Sequence, residues 1–366
     1  MNFNACYYAG YFFFMENTMN TSKATESLAL ALNANLPIFL QGSPGVGKSS
    51  IVKNIADKNN FALIDIRLSQ CDITDLNGLP KFENGKATFT PFDIFPLENT
   101  PLPEGKHGWV LFLDELNSAM PAVQCAAYKL ILDRMVGTHK LHPNVRIVAA
   151  GNKITDNAVV NELSTALKSR LINLTVECDS DSWLAWAGTH DIDSRVMGFI
   201  LHRGNKALFN FNPEKEDSTF ACPRTWAMLS ALIKSLPNLR GYEELIAGTI
   251  GNEMAQEFKV FTECADRLPS WESLVEGTFK PKQDTEDLGI RWHIMGTIVS
   301  RYKEIKNDTE INNILNIFDI YGKDFKKALL AQFQRSGANN YLAKFPSFFK
   351  HVSDCAFHTG KFINEL

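Results

Sequence analysis

No long apolar run, no excess of one charge and no cysteine framework mark this sequence. Its cations and anions nearly balance, 37 Lys and Arg against 41 Asp and Glu for a net charge of −4, so no global electrostatic case for a nucleic-acid partner exists. Seven cysteines occur among 366 residues without a CxxC pair or regular spacing, which fits reduced thiols in the cytoplasm and not a disulfide scaffold. His139 and His142 lack further ligands nearby in sequence, so a zinc site is not expected. The opening MNFNACYYAGYFFFM is aromatic, but it has no basic flank and is too short to span a bilayer, so no membrane partner is expected. Met15 and Met19 offer alternative starts, and residues 1–20 are read as an N-terminal extension outside the fold. Internal repeats and low-complexity linkers are also missing. What remains is a chain long enough for two or three packed domains.

The most specific stretch is LQGSPGVGKSS, residues 40–50. It fits G-x-x-x-x-G-K-[ST] with Gly42, Gly47, Lys48 and Ser49 on the fixed positions, preceded by an apolar strand and followed by a helical pattern over 48–58. Glycines 42, 45 and 47 let successive backbone N–H groups turn toward an anion, and the helix start behind them adds a favourable dipole. Gly42, Ser43, Pro44, Gly45, Val46, Gly47, Lys48, Ser49 and Ser50 are therefore the candidate nucleotide contacts. Lys48 reaches for the β/γ-phosphates, and the Ser49 hydroxyl is a candidate Mg²⁺ ligand.

Apolar segments then alternate with helical patterns. Strands are predicted at 37–40, 61–68, 109–116, 145–152 and 170–176, with helices at 22–34, 48–58 and 121–135; beyond about residue 180 only helices follow. This alternation implies an α/β layered domain with a mainly parallel sheet. Ligands of such sheets sit beyond the carboxyl ends of the strands. There WVLFLDEL delivers Asp114 and Glu115, two adjacent carboxylates after an apolar run, which is costly without a task. Asp114 is placed to hold Mg²⁺ and Glu115 to orient or deprotonate water. VRIVAAGN delivers Asn152, a neutral amide able to sense a γ-phosphate. Arg170 lies just before the last strand and Arg224 begins a helix behind Pro223; guanidinium groups aimed at a transferred phosphoryl are what such chemistry needs. Arg134 competes with Arg170 for that role.

The ordered set GSPGVGKS, WVLFLDE, AAGN, ALKSR and PRTW resembles AAA+ ATPases, in particular their MoxR-like or dynein-related branch, over residues 20–260. The resemblance implies a P-loop NTPase sheet of order 5-1-4-3-2 with helices on both faces over 21–180, an all-α lid over 181–280 and a C-terminal helical region over 281–366. It implies ATP and Mg²⁺ as cofactors, Walker A over Gly42–Ser49, Walker B at Asp114 and Glu115, sensor 1 at Asn152, an arginine finger acting across a subunit boundary at Arg170 and sensor 2 at Arg224. It further implies a homo-oligomer, a hexameric ring, with chaperone-like remodelling of a protein client, and a von Willebrand factor A domain protein as partner. Two hairpins fit the same branch: 79–91 around Asn84-Gly85 and 136–148 running into the sensor strand. A GTPase reading fails at Thr155, where an aspartate must read guanine, and a small-molecule kinase leaves Asn152, Arg170 and PRTW unexplained. The competing reading is a AAA+ motor on DNA, disfavoured because the hairpins carry a modest set, Lys81, Lys86, Phe82 and Phe89, then His139, Lys140 and His142. The Phe-rich segment 339–366 lies beyond the resemblance, to pack on the lid or to dock a partner.

Overall fold

Six residues in a row, Gly108 to Leu113, are buried on both sides of one strand, and the α/β domain is built around them. Val110 and Phe112 face one layer with Leu28, Val52, Leu40 and Val148, while Leu111 and Leu113 face the other with Val123, Ala127 and Leu130. Full burial of each such side chain contributes about 1.5–3 kcal/mol, which explains why the strand has no polar alternation. The computed structural model describes residues 18–83, 85–156, 160–215, 217–263, 268–282 and 288–356.

The sheet contains β1 (Thr18–Asn20), β2 (Ile38–Gln41), β3 (Phe61–Arg67), β6 (Gly108–Asp114), β9 (Val145–Gly151) and β10 (Ile172–Glu177), in the spatial order β1-β10-β2-β9-β6-β3. Every pairing is parallel, and the five expected strands take the order 5-1-4-3-2. Helices α1 (Thr21–Asn33) and α2 (Lys48–Lys58) cover one face, and α4 (Pro121–Leu132) the other.

The sheet has a sixth strand. Residues 18–20, expected in an N-terminal extension outside the fold, pair with β10, and Asn20 then caps α1 by accepting from Lys23 N at 2.9 Å. β10 is therefore an interior strand. Three residues are too short a signal to read as a strand; residues 1–17 lie outside the described set.

Two hairpins interrupt the alternation. The first pairs β4 (Leu79–Glu83) with β5 (Lys86–Thr90) in the register Leu79↔Thr90 and Phe82↔Ala87; Asn84 of its predicted turn lies outside the described residues. Alternation puts Pro80, Phe82, Ala87 and Phe89 on one face, where Phe82 is 81% exposed. The second, β7 (Met135–Val136) with β8 (His139–Lys140), leads into β9. The strap after the first hairpin bridges Leu97 to Leu141, and Glu98 N donates to Lys140 O at 3.0 Å, so the two insertions form one body. Short helices α3 (Ile73–Asn77) and α5 (Thr165–Lys168) complete this half.

Contacts divide the chain into two compact units, residues 1–43, 48–154 and 158–177 in one, and 44–47, 155–157 and 178–366 in the other. The second is all helical: α6 (Ser180–Ala187), α7 (Ser194–Arg203), α8 (Asn205–Leu208), α9 (Pro223–Ile233), α10 (Glu243–Ile250), α11 (Asn252–Thr262), α12 (Trp271–Val275), α13 (Leu288–Arg301), α14 (Asp308–Tyr321), α15 (Lys323–Arg335), α16 (Ala338–Leu342) and α17 (Pro346–Ala356). Helices α10 and α11 are separated only by Gly251, at φ +84°. One hydrophobic core joins Trp183, Phe199, Trp226 and Phe258 to Phe318, Phe333 and Phe348, so no break in the core marks the expected boundary at 280. The Phe-rich segment packs into this unit as far as it is described: Leu342, Phe345 and Phe348 are buried, and Ser347 donates its N–H and Oγ to Asp308 at 2.8 and 2.6 Å.

Candidate nucleotide site

Parallel pairing brings the carboxyl ends of β2, β6 and β9 to one edge of the sheet, and Lys48, Asp114, Glu115 and Asn152 follow directly from them. The loop after β2 begins with Gly42 N donating to Gly151 O at 3.2 Å. It turns through Gly45 at φ +80° and Gly47 at φ +102°, left-handed conformations that cost other residues about 1–2 kcal/mol each. Lys48 opens α2 and is only 8% exposed. Its Nζ donates to the carbonyls of Gly42 and Ser43 and to Asn152 Oδ1 at 3.0 Å. A buried ammonium bonded to the loop and to a neutral amide marks one point where polyphosphate charge can be received.

Beside it, Ser49 Oγ donates to Asp114 Oδ2 at 3.1 Å. A hydroxyl and a carboxylate oxygen in contact form a hard, oxygen-only donor pair, the protein share that Mg²⁺ takes when phosphates and waters complete its shell. Asp65 on β3 adds a third carboxylate. Partial burial, and then the charge of Asp114, raise its pKa above the ordinary value while Arg67 opposes the shift. These residues therefore fit the metal that the motif implies.

Glu115 stands at φ +58°, ψ +34°, a left-handed position for a non-glycine residue and a place where strain and function coincide. The turn aims its backbone N–H at Asp114 Oδ1, 2.9 Å away, and its carboxylate accepts a short hydrogen bond from Ser69 Oγ. Ser69 follows β3 in a 3₁₀ turn, Leu68–Gln70, and nothing in the local sequence distinguishes it from a loop serine. Asn117 was also missed: it is 2% exposed and bonds both backbone polar groups of Asn152. Only its position two residues past Glu115 could have drawn notice.

The arginines separate. Arg170 is exposed, with its Nη1 donating to Ala166 O at 3.0 Å. It precedes β10, whose first residue Ile172 pairs with Ile38, the first residue of β2. Arg170 thus lies at the amino edge of the sheet and the lysine, carboxylates and amide at the carboxyl edge, on the order of 15 Å away for a four-residue strand and its flanks. Arg134, its competitor, stands at φ +55° and donates to Val145 O at 2.8 Å and His142 O at 3.2 Å; that guanidinium is a clamp on the entry to β9. Arg224 is exposed in the first turn of α9, and a Cβ built on Gly45 would stand 3.8 Å from its Cβ. Ser43, Gly45 and Val46 are buried, whereas Pro44, Gly47 and Ser49 are half-buried and Ser50 is exposed.

Comparison with known proteins agrees with this geometry. Residues 37–171 match the AAA domain of the dynein-related subfamily, so this segment is a dynein-related AAA domain. The chain is 29% identical over 194 residues to Midasin of Giardia intestinalis, covering 50% of this chain and 4% of that protein. It is 34% identical over 144 residues to Midasin of Dictyostelium discoideum, covering 37% and 2%. A Nif-specific regulatory protein of Rhizobium leguminosarum is 28% identical over 144 residues, covering 37% and 39%. The chain thus spans a few per cent of the Midasins and about two fifths of the regulatory protein. Among the described residues no helix is long and apolar enough to cross a membrane.

Proposed function

From a dynein-related AAA domain over residues 37–171, whose family implies ATPase activity, we propose that the chain is a Mg²⁺-dependent, ATP-hydrolysing AAA+ ring ATPase that remodels a protein partner. The observation that carries this reading is the meeting of Lys48 with Asn152 and of Ser49 with Asp114 at the carboxyl edge of the sheet, with Glu115 at the next position. Lys48 and the loop N–H groups would hold the polyphosphate, and Ser49 and Asp114 would hold Mg²⁺, which when bound would supply charge neutralisation. Glu115, restrained by Ser69, orients the attacking water and draws its proton. Asn152 hydrogen-bonds the γ-phosphate without adding negative charge.

A ring of subunits, hexameric as in the MoxR-like branch, is supported by the distance of Arg170 from its own loop, since that arginine reaches a γ-phosphate only in a neighbour. Arg224 acts as the sensor in the helical unit. A protein client, and a von Willebrand factor A domain partner, fit the apolar face of Pro80, Phe82, Ala87 and Phe89 better than a nucleic acid does, because this face has no cation. The thiols of Cys71, Cys125 and Cys222, which form no disulfide among the described residues, suit the cytoplasm. Two variants test the nucleotide reading. Lys48→Ala is expected to lose ATP binding, whereas Glu115→Gln keeps binding and loses turnover by ~10²-fold or more. Wild-type hydrolysis by Glu115→Gln would remove the assignment.

A further inference from the structure

Strand β6 stops pairing with β9 at Leu113↔Ala149, three residues short of Asn152. Past that point the ladder is continued by a side chain. Asn117 folds back from the turn after Glu115, its Nδ2 donating to Asn152 O at 2.8 Å while Asn152 N donates to its Oδ1 at 3.1 Å. A primary amide offers the same donor and acceptor as a peptide group, so Asn117 supplies one more rung where the strand has ended. Gly151 accommodates it: a Cβ there would stand 2.2 Å from Asn117 Oδ1. The main chain of the clip is held in turn, since Asn161 N donates to Asn117 O at 2.7 Å. One short turn, Asp114 to Asn117, therefore fixes the carboxylates directly and Asn152 through the amide, and Asn152 Oδ1 meets Lys48 Nζ.

We propose that Asn117 is a positioning residue for ATP hydrolysis, locking the Asn152 backbone so that the Asn152 side chain distinguishes a γ-phosphate from none. The inference rests on the nucleotide site proposed above. No other residue type serves equally. Alanine leaves Asn152 N–H without the clip and Asn152 O with only the 3.4 Å contact from Gln41 Nε2. Aspartate keeps the acceptor for Asn152 N–H but sets an oxygen against Asn152 O, and glutamine is one methylene too long for the same rung.

The test compares wild type, Asn117→Ala and Asn117→Asp in the full-length chain, measuring kcat, ATP and ADP affinities and melting temperature. For Asn117→Ala, kcat falls on the order of 10²-fold, as for a reacting group shifted by about 1 Å. ATP affinity drops toward that of ADP, so the preference between the two collapses. Asn117→Asp behaves alike at pH 8 but recovers relative to wild type as pH falls toward 6, because burial raises the new carboxyl's pKa and its protonated form regains a donor for Asn152 O. A role in stability alone lowers the melting temperature, leaves the ATP-to-ADP affinity ratio at its wild-type value and gives no pH rescue of kcat. Asn117→Ala with wild-type kcat and wild-type ATP-to-ADP ratio overturns the proposal, as does an Asn117→Asp deficit that stays constant with pH. A wild-type chain that binds ATP without hydrolysing it defeats the ATPase reading instead, and the affinity ratio of Asn117→Ala still decides the clip.

Discussion

Replacing Arg170 by alanine separates a finger acting across subunits from one acting within its own. Within one subunit the guanidinium lies at the amino edge of the sheet, because Ile172 pairs with Ile38 at the start of β2, whereas Lys48 and Asn152 follow the far ends of β2 and β9. Across ~15 Å, two unit charges interact by about 0.3 kcal/mol in water and about 1 kcal/mol at an effective protein dielectric of about 20, before salt screening, at most a roughly sixfold effect on rate. Direct contact with a neighbour's transferring phosphoryl group is worth ~10³-fold or more. Arg170→Ala is therefore expected to bind ATP normally, to be nearly inactive by itself, and to regain turnover when mixed with Lys48→Ala subunits, whose arginine completes the intact pocket. ATPase rate across mixing ratios, with subunit exchange verified independently, is the assay. Arg134→Ala is the control: losing the clamp on His142 O and Val145 O lowers stability, and mixing does not restore its rate. If Arg170→Ala keeps more than half of wild-type kcat, or if exchanging mixtures never exceed the sum of the two variants, the trans role is wrong.

His293 gives a pH dependence of known sign. It is 1% exposed, stacked on Phe261 at 4.2 Å, and burial lowers its pKa from 6.5 to about 4. The unfolded chain then takes up a proton below pH 6.5 that the folded helical unit resists. Stability is complete above pH 6.5 and falls as pH drops to about 4, by roughly 3 kcal/mol at 1.36 kcal/mol per unit. Chemical denaturation at pH 7 and 4.5 measures the fall; a His293→Phe variant with the same pH slope excludes this residue as its source. On the exposed face of the first hairpin, Phe82→Ser should alter stability by no more than ~0.5 kcal/mol and leave basal turnover unchanged, yet reduce the protein that co-purifies with Glu115→Gln. Undiminished capture by the double variant counts against this face as the client surface.

The site could be read from the sequence where chemistry and strand direction coincide. The loop from Gly42 to Ser49, Asp114 with Glu115, and Asn152 each announce themselves, because a polar group directly after a buried apolar strand needs a reason. The sheet order was accessible only through resemblance, since five parallel strands admit several orders of equal burial. The edge strand at 18–20 was not legible: three residues are too few to show a period, and what they add, pairing to β10 and the Asn20 cap of α1, is set by partners elsewhere in the fold.

Ser69, Asp65 and Asn117 escaped for another reason. Each acts on a residue distant in sequence through one or two hydrogen bonds or through charge, and a single polar side chain looks the same whether or not it has such a target. Asn117 stands at the limit of this argument. In sequence it is one polar residue of a short turn, and in the fold it occupies a place where a strand has run out and its neighbour has one more peptide to satisfy. A buried peptide left unpaired costs about 1–3 kcal/mol, enough to let the residue before Lys153 sample positions that no longer meet Lys48. Fixing Asn152 from β6 and not from its own strand also ties it to the turn that carries Asp114 and Glu115. The groups expected to hold the metal, orient the water and report the γ-phosphate then shift together or not at all, which is what discrimination between two nucleotides differing by one phosphate demands.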